Sequence, residues 1–264
     1  MARAAIGGDR HPYLEGPHPR RYAHRGWHIG SLAGCENTLA AFERAVAEGI
    51  SYIEMDVHAS ADGVPMIHHD PALDRTTDGS GLLARLPAAQ IAEARVAGRE
   101  PVPRLEAVLA ALPRTRFTIE LKSAEVVLPT LGVLERLDAW HRVCLGSFNE
   151  SWLQRARAGG GDRLFTSMGM QSVLGLRSRA WLDLLPGPTV LAEPLLPPVR
   201  GRLAQIPRRY GPLTVVDADL LRRAHDAGIE VHVWTVDDPA EMRELLDLGV
   251  DGLISDRPDL LLAL

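Results

Sequence analysis

The stretch ENTLAAFERAVAEGISYIEMDVHASADGVPMIHHD, residues 36–70, changes its periodicity twice. Between Thr38 and Glu48 the apolar residues Leu39, Phe42, Ala45 and Val46 fall on one helical face, and Gly49 follows as a stop. Ser51–Val57 then reads as a strand. Asp62-Gly63 comes too soon after it for a crossover helix and is a strong two-residue hairpin signal, so Val64–His69 is expected to run back antiparallel along that strand. A helix feeding a strand is the repeating unit of a parallel sheet with helical crossovers.

The same alternation extends in both directions. Strands are expected at Tyr22–His24, Ser51–Val57, Phe117–Leu121, Val143–Phe148, Leu164–Ser167, Thr189–Ala192, Val231–Thr235 and Gly252–Ser255. Further helical patterns at Asp217–Ala227 and Pro239–Leu248 end at Gly228 and Gly249. Leu213–Val216 reads as a short lead-in to the first of these helices. Eight such units in 264 residues predict an α/β fold, a (β/α)8 TIM barrel, as one domain over residues 21–264. Residues 1–20 lack an apolar signal core and are expected as a mobile tail.

Composition narrows the partners. A chain 46% hydrophobic and 24% charged is ordinary for a globular protein. A net charge of −5 supplies no basic excess for nucleic acid. No run of about 18 apolar residues could span a membrane, which leaves room only for weak contact with a membrane surface. Cys35 and Cys144 follow no spacing pattern, which excludes a disulfide scaffold or CxxC metal site and points to a reducing, cytoplasmic compartment.

Glu54 and Asp56 stand two apart on a strand and so share a face. Two carboxylates inside a barrel repel each other and lose hydration, and a divalent cation is the simplest remedy. Glu120 and Lys122 repeat the spacing on another strand. With Glu120 at the same mouth the three carboxylates make an all-oxygen site, which favours Mg²⁺ or Ca²⁺. A two-residue turn at Asp62-Gly63 would pair Asp56 with His69, selecting His69 over His68. His24-Arg25-Gly26 closes the first strand, with a guanidinium fork suited to phosphate and a glycine that lets the chain turn. Asn37 or Thr38 could cap the first helix, or Asn37 could serve the site. Trp234 is either core or an apolar wall for a ligand, and Ser147-Phe148-Asn149 ends another strand similarly. Of 29 lysines and arginines only Lys122 is lysine, which suggests that a compact point charge is needed there.

In order, the segments AHRG (23–26), ENTLAAFERAVAEG (36–49), YIEMDVHASADGVPMIHHDPALDRTTDG (52–79), IELK (119–122), SFN (147–149), AHDAGIEVHVWTVDD (224–238) and GLISDRPDLL (252–261) resemble the glycerophosphodiester phosphodiesterase family. The resemblance implies a (β/α)8 barrel with a small insertion after the second strand, here about 59–100. It implies His24 and His69 as the acid/base pair, and Arg25 and Lys122 as phosphate ligands. Glu54, Asp56 and Glu120 become the carboxylates of one Mg²⁺ or Ca²⁺. Glu36 and Asn37 organise the site, and Trp234 flanks the substrate alcohol. The implied reaction is hydrolysis of a small glycerophosphodiester to sn-glycerol 3-phosphate and an alcohol. Cys35 stands where the family commonly has proline, and the match thins over 160–212, where the substrate pocket is shaped. A related barrel acting as a phospholipase D or lysophospholipase D on choline (lyso)phospholipids is the alternative. An aldolase-like Schiff base on Lys122 and a non-catalytic phosphate binder are the more distant ones.

Overall fold

A computed structural model describes residues 11–184 and 193–264. In chain order its strands and helices are β1 (Arg20–His24), α1 (Leu39–Ala47), β2 (Tyr52–Ala59), β3 (Pro65–Ile67), α2 (Ala88–Ile91), β4 (Arg95–Val96), β5 (Glu100–Pro101), α3 (Leu105–Ala111), β6 (Arg116–Leu121), α4 (Val127–Arg136), β7 (Val143–Gly146), α5 (Glu150–Gly160), β8 (Phe165–Thr166), α6 (Met170–Leu182), β9 (Leu203–Pro207), β10 (Arg209–Tyr210), β11 (Leu213–Thr214), α7 (Ala218–Asp226), β12 (Glu230–Trp234), α8 (Pro239–Leu248), β13 (Gly252–Ser255) and α9 (Pro258–Leu262). Eight strands follow one another in the order β8-β7-β6-β2-β1-β13-β12-β9. All their pairings are parallel, and a single bridge from Ser167 to Leu203 brings β8 to β9 and nearly closes the ring. This is the expected (β/α)8 barrel.

Alternation along β2 sorts its side chains into two layers. Ile53, Met55 and Val57 face outward into a shell with Phe117, Ile119 and Leu121 of β6 and Phe42 and Ala45 of α1. Tyr52 faces inward, into a cluster with Tyr22, Cys144, Leu203 and Ile254. Glu54 and Asp56 lie on that same inner face, nearer the C-terminal mouth. Local signals set the helix ends. Thr38 caps α1, its Oγ1 accepting from Ala41 N at 3.2 Å. Asp238 caps α8, and Gly249 closes it with φ of 105°.

Two stretches differ from the sequence expectation, and a third expectation falls on residues that are not described. The run Thr189–Ala192 lies outside the described residues, and the place between the fifth and seventh barrel strands is taken by β9. Leu213–Thr214 pairs antiparallel with Arg209–Tyr210, so the expected lead-in is half of a small hairpin. Residues 11–20, assigned to a mobile tail, are packed instead. A short 3-10 turn, Pro12–Glu15, buries Tyr13 completely. The Tyr13 hydroxyl lies 2.8 Å from Thr118 Oγ1 and 3.0 Å from the Tyr22 hydroxyl. Arg20, also buried, pairs with Glu230 at 3.0 Å and donates to the carbonyls of Gly16 and Pro17. This segment plugs the N-terminal end of the barrel.

Between β3 and α3 the chain leaves the barrel wall. It wraps its own apolar cluster of Met66, Leu73, Leu83, Ala88, Ile91, Ala94, Val96 and Val102. Among the described residues no helix is long and apolar enough to cross a membrane.

Candidate active site

The inward carboxylates of β2 and β6 converge at the mouth. Glu54, Asp56 and Glu120 offer oxygens that all lie within 4.8 Å of one another. Register explains this: β2 and β6 run parallel with Asp56 beside Glu120, and Glu54 sits one step below on the same face. Burial and the neighbouring Asp56 push the Glu54 carboxyl up to about 8. Burial and Asp56 also raise Glu120, against the pull of Lys122. Burial alone would raise Asp56 too, but Lys122, Arg25 and an Asn37 hydrogen bond hold it below its ordinary value. Glu54 Oε2 is buried without a hydrogen-bond partner, and Asp56 Oδ1 is buried with only the Lys122 ammonium beside it. Two such oxygens beside a third carboxylate make a donor set that fits a hard divalent cation.

Around the trio stand the cationic and polar groups expected from sequence. Lys122 Nζ lies 3.0 Å from Asp56 Oδ1 and 3.1 Å from Glu120 Oε2. Burial opposes its charge, but the two carboxylates raise its pKa, the reverse of what a Schiff-base amine needs. Arg25 Nε lies 3.3 Å from Asp56 Oδ2, and its Nη1 donates to Glu36 Oε1 at 3.1 Å. Asn37 Nδ2 donates to Asp56 Oδ2 at 2.9 Å, while Asp56 N donates back to Asn37 Oδ1 at 3.3 Å. Because Thr38 caps α1, the Asn37 side chain is free for this pair. Arg25 and Asn37 hold φ of 57° and 59°, a left-handed geometry that costs an ordinary residue about 1–3 kcal/mol. Their backbones are tied by Arg25 N to Glu54 O at 3.0 Å and Asn37 N to Arg25 O at 2.9 Å. Gly26, at φ of 90°, allows the turn between them, since a Cβ there would meet Phe42 Cδ1 at 2.8 Å.

The hairpin register differs by one residue from the two-residue reading. Val57 pairs with Ile67 and Ala59 with Pro65, and His68 N donates to Asp56 O at 3.0 Å. The turn has one more residue than expected because Ser60 organises it. The Ser60 hydroxyl donates to Asp62 Oδ1 at 2.6 Å and accepts from Val64 N at 2.9 Å, and Gly63 takes φ of 76°. His68 therefore stands opposite Asp56, yet its ring turns into the inserted segment, 2.9 Å from both Asp70 O and Thr76 Oγ1. His69 lies beyond the end of β3, where a protonated imidazole would pull both the Asp56 and Glu120 carboxyls down.

Two carboxylates that the sequence reading passed over complete the picture. His24 Nδ1 is 2.6 Å from Asp256 Oδ1, in the loop after β13, and His24 Nε2 is 3.7 Å from Glu54 Oε2. Burial opposes the His24 charge, but Asp256 and Glu54 raise its pKa. His28 Nε2 also reaches Asp256 Oδ1, at 3.1 Å. His69 Nδ1 is 2.6 Å from Asp70 Oδ1. The signals were present: Asp70 directly follows His69 and Asp256 lies in ISDRPD, but nothing in the spacing ties Asp256 to His24. Trp234 ends β12 on the same face of the barrel, edge-on to Phe148 at 5.7 Å between ring centres. A cavity of about 490 Å³ lies at the opposite end, between His18, Leu221, His225 and Gly249, and contains none of these residues.

The model of the glycerophosphoryl diester phosphodiesterase family matches residues 22–260. A probable glycerophosphodiester phosphodiesterase 2 of Mycobacterium tuberculosis is 38% identical over 90% of this chain and 88% of its own length. The structure of a glycerophosphodiester phosphodiesterase from Agrobacterium tumefaciens superposes with a TM-score of 0.68 at 28% identity, covering 93% of this chain and 99% of that one. An Oleispira antarctica phosphodiesterase, solved in complex with the product sn-glycerol-3-phosphate, shares the fold with a TM-score of 0.73 at 23% identity, covering 93% of this chain and 96% of that one. The chain belongs to the glycerophosphoryl diester phosphodiesterase family and is, with it, a phosphoric diester hydrolase.

Proposed function

We propose that this enzyme hydrolyses small glycerophosphodiesters to sn-glycerol 3-phosphate and an alcohol, with His24 and His69 as its acid/base pair. One observation carries the reading: each imidazole is held at Nδ1 by a carboxylate at 2.6 Å, beside a trio of converging carboxylates. A histidine bound at Nδ1 keeps Nε2 for proton transfer. One histidine accepts a proton from the attacking oxygen and the other donates one to the departing alkoxide, each step contributing about 10²–10⁴-fold. Arg25 and Lys122 hold the non-bridging phosphoryl oxygens. Glu36 and Asn37 fix Arg25 and Asp56, and Trp234 walls the alcohol. Glu54, Asp56 and Glu120 would hold the Mg²⁺ or Ca²⁺, which when bound supplies positive charge against the phosphate. The relative solved with sn-glycerol-3-phosphate supports the substrate class.

Residues 21–264, with residues 11–20 packed against the end of their barrel, act in this reading as one catalytic domain. Buried, unpaired Cys35 and Cys144 support a reducing, cytoplasmic setting. The test is release of sn-glycerol 3-phosphate from glycerophosphocholine and glycerophosphoethanolamine, with added Mg²⁺ or Ca²⁺ and with a chelator. Release that depends on the cation is expected. No release with either cation overturns the reading and makes lysophospholipid the next substrate.

A further inference from the structure

Arg75 lies in the segment between β3 and α3, and its guanidinium touches two parts of the site at once. Nε donates to Asp70 Oδ2, and Nη2 donates to Asp70 Oδ1 at 3.0 Å and to Glu36 Oε1 at 2.9 Å. Asp70 Oδ1 is the atom that holds His69, and Glu36 Oε1 is the atom that accepts from Arg25. One flat cation therefore joins His69 on the inserted side to Arg25 on the loop after β1.

We infer that Arg75 is a positioning residue, which sets the His69 imidazole through Asp70 and the Arg25 fork through Glu36. The inference rests on the hydrolytic reading above. A planar fork grips one carboxylate with two nitrogens while reaching a second, and a compact ammonium offers no such bidentate grip. Stability alone does not explain the arrangement. Arg75 is 48% exposed, and exposed ion pairs contribute little to folding. Nor is Arg75 placed as a free phosphate ligand, because Nε and Nη2 are already directed at Asp70 and Glu36. Arg99 supplies a useful contrast. It too crosses from the insertion to the loop after β1, but it grips Ser31 O and Ala33 O at 2.7 Å and Cys35 Sγ at 3.2 Å.

The test compares Arg75→Met, Arg75→Lys and Arg99→Ala with the wild type in two measurements. In steady-state hydrolysis of glycerophosphocholine, Arg75→Met lowers kcat by about 10–100-fold, the usual cost of losing an outer partner. KM changes less than about threefold and the melting temperature barely moves. Arg75→Lys restores little of the loss. In ¹⁵N-detected imidazole spectra, His69 carries its proton on Nδ1 in the wild type and in Arg99→Ala, and averages between tautomers in Arg75→Met. A rise in KM alone would make Arg75 a substrate ligand and overturn the inference. So would full rescue by lysine, or a His69 signal unchanged in Arg75→Met. If the wild type releases no sn-glycerol 3-phosphate, the functional reading has failed separately, and the imidazole spectra still decide whether Arg75 sets His69.

Discussion

His24 Nδ1 lies 2.6 Å from Asp256 Oδ1, a bond that joins the end of the first barrel strand to the loop after the last. It spans 232 residues of sequence and crosses the seam where β13 pairs with β1. Asp256 fixes which imidazole nitrogen carries the proton. In Asp256→Asn the amide can donate as well as accept, so that tautomer is no longer enforced. We expect kcat to fall by about 10–100-fold with the fold intact. A steady-state assay checks this, and a loss below threefold counts against a positioning role.

Removing either imidazole should cost more. His24→Ala and His69→Ala are each expected to lose about 10²–10⁴-fold in kcat while keeping a wild-type circular dichroism spectrum. Retention of more than a tenth of wild-type kcat by either folded variant removes that histidine from the acid/base pair.

Glu54 should make the cation-free protein lose stability as pH rises. Glu54 has a folded-state pKa of about 8 against 4.5 for an ordinary glutamate. Between those values the folded state holds a proton that the unfolded chain releases. Its stabilisation is therefore complete below about pH 4.5 and is lost as pH rises through 8. His24, also raised, acts in the same direction above its ordinary value. Thermal melts in chelator should fall from about pH 5 to pH 8 in the wild type relative to Glu54→Gln, a comparison in which the buried His58, His68 and His232, whose lowered values act in the opposite direction, cancel. Glu54→Gln or a bound cation should flatten the slope. A slope unchanged in Glu54→Gln assigns the effect elsewhere.

Lys122 should not be replaceable by arginine. Its Nζ sits between Asp56 and Glu120 at 3.0 and 3.1 Å, a gap sized for a compact ammonium rather than a planar fork. Lys122→Arg and Lys122→Met are both expected to lower kcat/KM by at least about tenfold, some 1.4 kcal/mol of transition-state binding. Activity near wild type in Lys122→Arg would make the residue an ordinary member of the basic set.

Gly26→Ala tests the turn that aims Arg25. The added Cβ meets Phe42 Cδ1 and Ala41 within 3.0 Å at a φ of 90°, so a loss of about 1–3 kcal/mol is expected. Urea denaturation measures it, and a change under about 0.5 kcal/mol would mean that the loop relaxes freely.

Strong local signals made most of the barrel legible. The α1 stripe of Leu39, Phe42, Ala45 and Val46, the helix stops at Gly49 and Gly249, and the i, i+2 carboxylates all follow from spacing a few residues long. What escaped the sequence depends on distant partners. β9 reads LAQIP: Gln205 faces the barrel interior and donates to Thr118 Oγ1 at 3.0 Å, so the strand lacks an apolar run. The hairpin register turned on one hydroxyl, Ser60, which periodicity does not weigh. Residues 11–20 carry no period, yet Tyr13 finds a closed end that exists only once eight strands surround it. Asp256 and Arg75 belong to the site through contacts that no local spacing encodes.

The scarcity of lysine has a practical consequence. Lys122 is the only lysine in the chain, and it stands among the carboxylates of the mouth, 15% exposed. An amine-directed acylating reagent therefore has a single side-chain target, and that target stands in the proposed catalytic centre. Asp56 and Glu120 keep that amine protonated and slow to acylate, so its labelling, followed at alkaline pH by mass spectrometry, reports whatever loosens that pairing or covers the mouth.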